Sequence, residues 1–199
     1  MKKEIRTGVI ILAAGSSSRL GQPKQLLEFN GKTLLEIAVE AAQNSLADSC
    51  VIVLGANADL IVEKIRHTKV DRVVNENWEN GMASSMQKGL KYLMENSDPD
   101  QVILMLSDQP FVNNETLNLL IENKLNTNSE IIACRYKETF GVPVLFTKKY
   151  FPELLSLIGN EGAKKLVMAY QDDLHTIDFP QGAIDIDTIE DYQRLKCSS

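Results

Sequence analysis

Residues 7–24, Thr7-Gly8-Val9-Ile10-Ile11-Leu12-Ala13-Ala14-Gly15-Ser16-Ser17-Ser18-Arg19-Leu20-Gly21-Gln22-Pro23-Lys24, join a continuous apolar run to a small-residue loop with two basic side chains. An unbroken run such as Thr7 to Ala13, with no polar alternation, predicts a strand buried on both faces, as in a parallel sheet. In the loop, Gly15 and Gly21 allow close approach of the backbone to a ligand, and successive N–H groups there can form an anion-binding concavity. Arg19 adds a planar fork for phosphate oxygens and Lys24 a mobile point charge. No Gly-Lys-Ser/Thr ends the loop and no G-x-G-x-x-G occurs in it, so it is neither a Walker A loop nor a dinucleotide fingerprint. Taken singly, Gly15 and the serines equally describe a tight strand-to-helix connection. Taken whole, with Arg19 and Lys24, the string points to phosphate binding.

Outward from this strand, apolar runs alternate with segments of helical period. Helices are expected at Leu34 to Leu46, Asn57 to Arg66, Met82 to Met94, Asn114 to Leu125, Lys148 to Leu157, Ala163 to Tyr170 and Ile189 to Lys196. Strands are expected at Cys50 to Leu54, Val70 to Val74, Gln101 to Leu106, Ile131 to Cys134 and Val142 to Phe146. Strand–helix alternation with continuously apolar strands predicts a three-layer α/β fold around a mainly parallel sheet. No repeat or Gly/Ser linker divides the chain, so residues 1–199 are expected to form one domain.

The 199 residues suffice for a sizeable core without disulfide or structural metal. Lys and Arg number 21 against 27 Asp and Glu, a net charge of −6 that argues against non-specific binding to nucleic acid or anionic membranes. No apolar stretch approaches the roughly 18 residues of a membrane span, and the run after Met1-Lys2-Lys3-Glu4 reads as a core strand rather than a signal peptide. Cys50, Cys134 and Cys197 are widely spaced and odd in number, as expected of free thiols in a reducing cytoplasm. With only His67 and His175 present, any metal would be held by carboxylate oxygens.

In open sheets of this kind ligands sit beyond the carboxyl ends of the strands. Ser107-Asp108-Gln109-Pro110 occupies such a position, and its carboxylate in a proline-stiffened turn suits a hard divalent cation. The alternative, Asp108 as a helix cap, competes with Asn113 and Asn114, which lie nearer the next helix. In Asp185-Ile186-Asp187-Thr188 an extended backbone would point both carboxylates the same way, toward one cation, yet Asp187 or Thr188 could instead cap the terminal helix. Asn75 to Ser85 opens a helix whose free N–H groups, with Ser84 and Ser85, could meet a base, ribose or phosphate. Trp78 could simply pack beneath that loop.

Together these strings resemble the MobA/MocA-like nucleotidyltransferases, in particular the molybdenum cofactor cytidylyltransferase branch. Leu12 to Lys24 matches L-A-A-G-x-S-x-R-x-G-x-x-K, and Asn75 to Ser85 matches N-x-x-W-x-x-G-M-x-S-S. Further similarity lies at Ser107 to Pro110, at Gly141 to Phe146 (G-x-P-V-L-F), at Gly159 to Ala163 and at Asp185 to Tyr192 (D-I-D-T-x-E-D-Y). The resemblance implies a Rossmann-like nucleotidyltransferase fold, Mg2+, and transfer of a nucleoside monophosphate from a triphosphate to an acceptor phosphate.

On that resemblance, Leu12, Ala13, Ala14, Gly15, Ser16 and Ser17 with Arg19 and Lys24 hold the triphosphate, and Gly81, Ser84 and Ser85 face the nucleotide. Asp108 holds Mg2+, with Asp185 and Asp187 as further metal carboxylates, and Arg19, Lys24 and Asp108 are the catalytic set. Ala14 stands where the guanylyltransferase branch usually carries a glycine, which looks more like CTP use than GTP use. The implied acceptor is molybdopterin. Val142, however, replaces the histidine of the branch's usual G-H-P and leaves a sugar or alditol phosphate as a second acceptor. A third reading is a non-catalytic carrier that hands the cofactor to a molybdoenzyme partner, against which Arg19, Lys24 and Asp108 all argue.

Overall fold

The computed structural model describes residues 5–197. Its first strand, β1 (Thr7–Ala13), is buried at every position and lies within a seven-stranded sheet. The strands that follow are the short pair β2 (Glu28–Phe29) and β3 (Lys32–Thr33), then β4 (Ser49–Leu54), β5 (Asp71–Val74), β6 (Gln101–Leu106), β7 (Ile131–Tyr136), β8 (Thr139–Thr147) and β9 (Leu174–Asp178). The large sheet runs in the order β5-β4-β1-β6-β8-β7-β9. Only β8 opposes the others, pairing antiparallel with both β6 and β7.

The helices are α1 (Leu34–Gln43), α2 (Ala58–Lys64), α3 (Met82–Asn96), α4 (Asn114–Asn126), α5 (Phe151–Ser156), α6 (Ala163–Ala169) and α7 (Ile189–Cys197). Side-chain alternation along β1 divides the core in two. Val9, Ile11 and Ala13 pack with α1, α2 and α4 on one face, while Ile10 and Leu12 pack with α3, α5 and α6 on the other. This is the three-layer α/β architecture with a mainly parallel sheet that the alternation predicts. A third, smaller cluster joins Leu20, Phe29 and Leu34 to Ile186 and Leu195, which ties α7 down beside the first loop.

Several elements depart from the sequence reading. Helix α1 starts at Leu34, where Thr33 and Glu36 form a reciprocal capping box, but ends at Gln43 rather than Leu46. The segment expected as helix from Lys148 to Leu157 is a 3-10 turn, Lys148–Tyr150, followed by α5. Strands β2, β3 and β9 were absent from the expected set. The first two flank Asn30 and Gly31, both at positive φ (51° and 79°), in a two-residue hairpin that those residues favour. Strand β9 is half-exposed and, among the described residues, pairs only with β7, so it lacks the apolar run that marks a central strand.

Candidate active site

The parallel strands all present their carboxyl ends on one side of the sheet, and the loops gathered there surround a cleft of about 350 Å³. Leu12, Ala13, Ala14, Gly15, Ser16 and Lys24 form one wall. Trp78, Gly81 and Ser85 form another, and Leu106, Ser107 and Asp108 the floor between them.

Gln25 holds the first loop in shape. Its side chain, 1% exposed, donates from Nε2 to the carbonyls of Ala13 (2.9 Å) and Gly15 (3.1 Å). The Ala56 N–H donates to the Ala14 carbonyl at 3.0 Å. At Gly55 a Cβ would meet the Ala14 carbonyl at 2.8 Å, so only glycine lets the end of β4 lie this close. Ser17, at φ 54°, accepts the Lys24 N–H on its Oγ at 3.0 Å. Ser17 therefore braces the loop and does not line the cleft, unlike Ser16.

The charged centre has four members. The Lys24 ammonium donates to Asp108 Oδ2 and to Asp187 Oδ1, the latter at 2.8 Å, and Arg19 donates to Asp187 Oδ2 at 3.0 Å. Lys24 and Asp108 are 17% and 8% exposed at the side chain, whereas Arg19 is 69% exposed. Burial raises the Asp108 pKa above the usual carboxylate range, against the opposing pull of Lys24. Burial would lower that of Lys24, but Asp108 and Asp187 outweigh it and raise the net value. Asp187 is held low, first by the Lys24 hydrogen bond and then by Arg19.

Two local devices place these carboxylates. The Ile186 N–H donates to the Asp108 carbonyl at 3.1 Å, and buried Ile186 anchors the segment, so Asp187 is held beside the turn after β6. Capping of α7 falls to Thr188, whose Oγ1 accepts the Asp191 N–H at 3.2 Å, and Asp187 is left for Lys24. Asn113 caps α4 by accepting the Thr116 N–H at 2.9 Å, and Asp108 is likewise spared.

Asp185 does not join them. Residues 184–187 lie outside any strand, so the side-chain alternation that would align Asp185 with Asp187 does not apply, and Asp185 is exposed beside Lys137 and Arg194. Among the described residues no three His, Cys, Asp or Glu side chains gather closely enough to hold a metal. The expected trio therefore reduces to Asp108 and Asp187, with Asp185 contributing only its field at Asp108. Two carboxylates are enough for Mg2+, which commonly completes its shell with substrate phosphates and water. Asp108 Oδ1 supports such a ligand, because it is buried in the cleft floor with no hydrogen-bond partner among the described residues.

At the start of α3, Gly81 has φ 97° and would clash through any Cβ with the Gly159 carbonyl, which accepts the Ala83 N–H at 3.1 Å. Asn75 donates to Ser84 at 2.8 Å and to Ser85 at 3.0 Å. Ser84 spends its own hydroxyl on the carbonyls of Asn77 and Gly81, so Gly81 and Ser85 line the cleft and Ser84 supports them from behind.

A second cavity, about 330 Å³, adjoins the first and shares Leu12, Met82, Leu106 and Asn160 with it. Its other walls include Met86, Leu104, Phe140 and Val142. Gln109 steadies this side by donating to the carbonyls of Val142 (3.1 Å) and Gly182 (3.0 Å). Sequence reasoning missed Gln25, Gln109 and Asn160. Gln25 and Gln109 each immediately follow a predicted site residue, and Gln109 and Asn160 lie within stretches that carry the family resemblance.

Residues 9–174 match the family model described as the MobA-like NTP transferase domain. The chain belongs to this nucleotidyltransferase family. It is 29% identical over 203 residues to nicotine blue oxidoreductase of Paenarthrobacter nicotinovorans, with 95% of each chain covered. A protein of Bacillus mycoides named "Probable molybdenum cofactor guanylyltransferase" is 29% identical over 125 residues, which cover 62% of this chain and 59% of that one. The chain spans 31% of the length of the bifunctional protein GlmU of Buchnera aphidicola, another curated relative. Among solved structures, the manganese complex of Rv0371C from Mycobacterium tuberculosis H37Rv superposes with a TM-score of 0.81 at 30% identity, covering 98% of this chain and 100% of that one. Among the described residues no helix is long and apolar enough to cross a membrane.

Proposed function

We propose that this chain transfers CMP from CTP to the phosphate of a molybdopterin-type acceptor and releases pyrophosphate. The observation that carries the reading is the junction of two unlike cavities. One carries the charged groups Lys24 and Asp108 and the small-residue loop; the other is more apolar, and they share the wall of Leu12, Met82, Leu106 and Asn160.

In this reaction an acceptor phosphate oxygen attacks the α-phosphorus in line, and the bond to the pyrophosphate leaving group breaks. Lys24 and Arg19 bind and orient the phosphate oxygens, and the loop from Ala13 to Ser16 cradles the triphosphate. Asp108 and Asp187 would hold Mg2+, which when bound neutralises charge on the triphosphate. Positioning and charge compensation then carry the rate without a protein nucleophile. Gly81 and Ser85 face the nucleoside, and Ala14, in place of the glycine usual in the guanylyl branch, supports CTP over GTP.

The apolar cavity suits a flat ring system. A sugar or alditol phosphate, the second reading prompted by Val142, would find few partners there for its hydroxyls beyond Tyr136, Thr139, Asn160 and Lys164. A carrier delivering the cofactor to a molybdoenzyme partner would have no use for the Lys24–Asp108–Asp187 centre. Purified protein with Mg2+, each NTP in turn, and either molybdenum cofactor or an alditol phosphate should release pyrophosphate only with CTP and molybdenum cofactor. Release with the alditol phosphate instead would favour the second reading, and no release with any pair would overturn the first.

A further inference from the structure

The Lys24 ammonium lies between the two carboxylates that would hold a divalent cation. Its ammonium bridges Asp108 Oδ2 and Asp187 Oδ1, while Arg19 occupies Asp187 Oδ2, so two cations and two anions balance one another in a half-closed cleft. The same four side chains would also have to serve the incoming ligands, the basic pair for a triphosphate and the acidic pair for a divalent cation. Each pair already holds the other.

The consequences differ according to whether the ligands arrive alone or together. A divalent cation alone must expel the Lys24 ammonium, which is 17% exposed and would be left beside the new positive charge without a counter-ion. A triphosphate alone must draw Lys24 and Arg19 away, leaving Asp108, 8% exposed, as a buried carboxylate facing a polyanion. Stranding a buried charge is strongly unfavourable. When both ligands are present the partners exchange, carboxylates to metal and basic side chains to phosphate, and no charge is left unpaired. Asp108 Oδ1, which Lys24 does not satisfy, is a ready first contact for the metal.

We propose that Lys24 is the resident counter-cation of the Asp108–Asp187 pair, so that divalent metal and triphosphate bind weakly alone and cooperatively together. This rests on reading the cleft as a triphosphate site and adds to it a coupling that must be the same in both directions.

The test uses Mn2+ alone and inorganic tripolyphosphate alone, with no turnover. Free Mn2+ is measured by electron paramagnetic resonance at about pH 8, above the ordinary carboxylate range. Lys24→Met should bind Mn2+ about tenfold more tightly than the wild type, because the pair loses its internal occupant. In the reciprocal arm, calorimetry in EDTA should show Asp187→Asn binding tripolyphosphate several-fold more tightly than the wild type, because Arg19 is released and Lys24 is held by Asp108 alone. Equal or weaker Mn2+ binding by a Lys24→Met protein with wild-type circular dichroism overturns the proposal. If that variant does not fold, unchanged or weaker tripolyphosphate binding by Asp187→Asn overturns it instead. Neither probe involves CTP or an acceptor, so exchange without CMP transfer would sink the proposed reaction alone, and CMP transfer without exchange would sink the coupling alone.

Discussion

The β5-β4-β1-β6 half of the sheet and the β8-β7-β9 half build different kinds of wall. In the first, every strand runs the same way, and the loops after β1, β5 and β6 deliver glycines, short polar side chains and charges to one edge. In the second, β8 turns back against β6 and β7, so the rim there comes from a hairpin and from the start of a strand, and its contribution is mostly apolar. A cleft that must bring a polyanion to a second, chemically different substrate gains from this division. Charge is concentrated where backbone N–H groups and basic side chains can meet it, and apolar surface is kept where it does not weaken them.

The comparison is most directly broken at Asp108. Replacing it with Ala should lower pyrophosphate release about a thousandfold while circular dichroism stays that of the wild type. Activity near wild type would remove Asp108 from the chemistry and with it the polar identity of the first half. On the other side, Val142→Asn should raise KM for the acceptor about tenfold and leave NTP affinity unchanged, as expected where only apolar contact to one substrate is lost. A parallel loss of NTP affinity would show that the two cavities do not divide the substrates.

Gln25 tests whether the first loop is preorganised. Gln25→Ala leaves the Ala13 and Gly15 carbonyls without their donors and should cost about 2 kcal/mol in denaturant unfolding, with weaker triphosphate binding. An unchanged unfolding midpoint would assign the loop's shape to other contacts. The smallest effect concerns acid. Asp187 is held below its ordinary range by Lys24 and then Arg19, so its contribution is present above about pH 4 and is lost as pH falls through the depressed value. Melting curves of metal-free protein should therefore fall more steeply below about pH 4 for the wild type than for Asp187→Asn. Identical slopes would mean that Asp187 gains nothing from its partners.

Legibility from sequence divides along the same line. Strands β1, β4 and β6 are continuous apolar runs, and burial on both faces left that mark in the residues themselves. The direction of β8 left none, because Val144, Leu145 and Phe146 are fully buried in an antiparallel strand just as they would be in a parallel one. Strand β9 has one buried apolar residue, Ile177, and its charged neighbours obscured it. The Asn30-Gly31 hairpin was readable and was overlooked, since the strands on either side are only two residues long.

Within the site, the small-residue loop stood out because two glycines, Arg19 and Lys24 fall together just after one apolar strand, and Asp108 because it sits in a proline-stiffened turn just after another. Gln25 and Gln109 did not, because a buried amide that holds other carbonyls looks in sequence like any surface glutamine. The roles of Asp185 and Asp187 depended on which residue capped α7 and on whether the backbone there was extended. The first was settled locally, by the reciprocal bonds of Thr188 with Asp191 three residues on, and the second by a tertiary contact, Ile186 against Asp108.

The reversal of β8 has a further consequence. Because β7 and β8 are joined by a tight turn at Lys137 and Glu138, on the same side of the sheet as the cleft, the rim of the apolar cavity is a hairpin tip. Hairpin tips accept insertions and deletions that core strands refuse. Lengthening or shortening this one would resize the cavity without moving the Ala14–Lys24 loop or the turn at Asp108. One scaffold could thus be re-tailored to different acceptors by changing a few residues, while the triphosphate machinery is inherited intact.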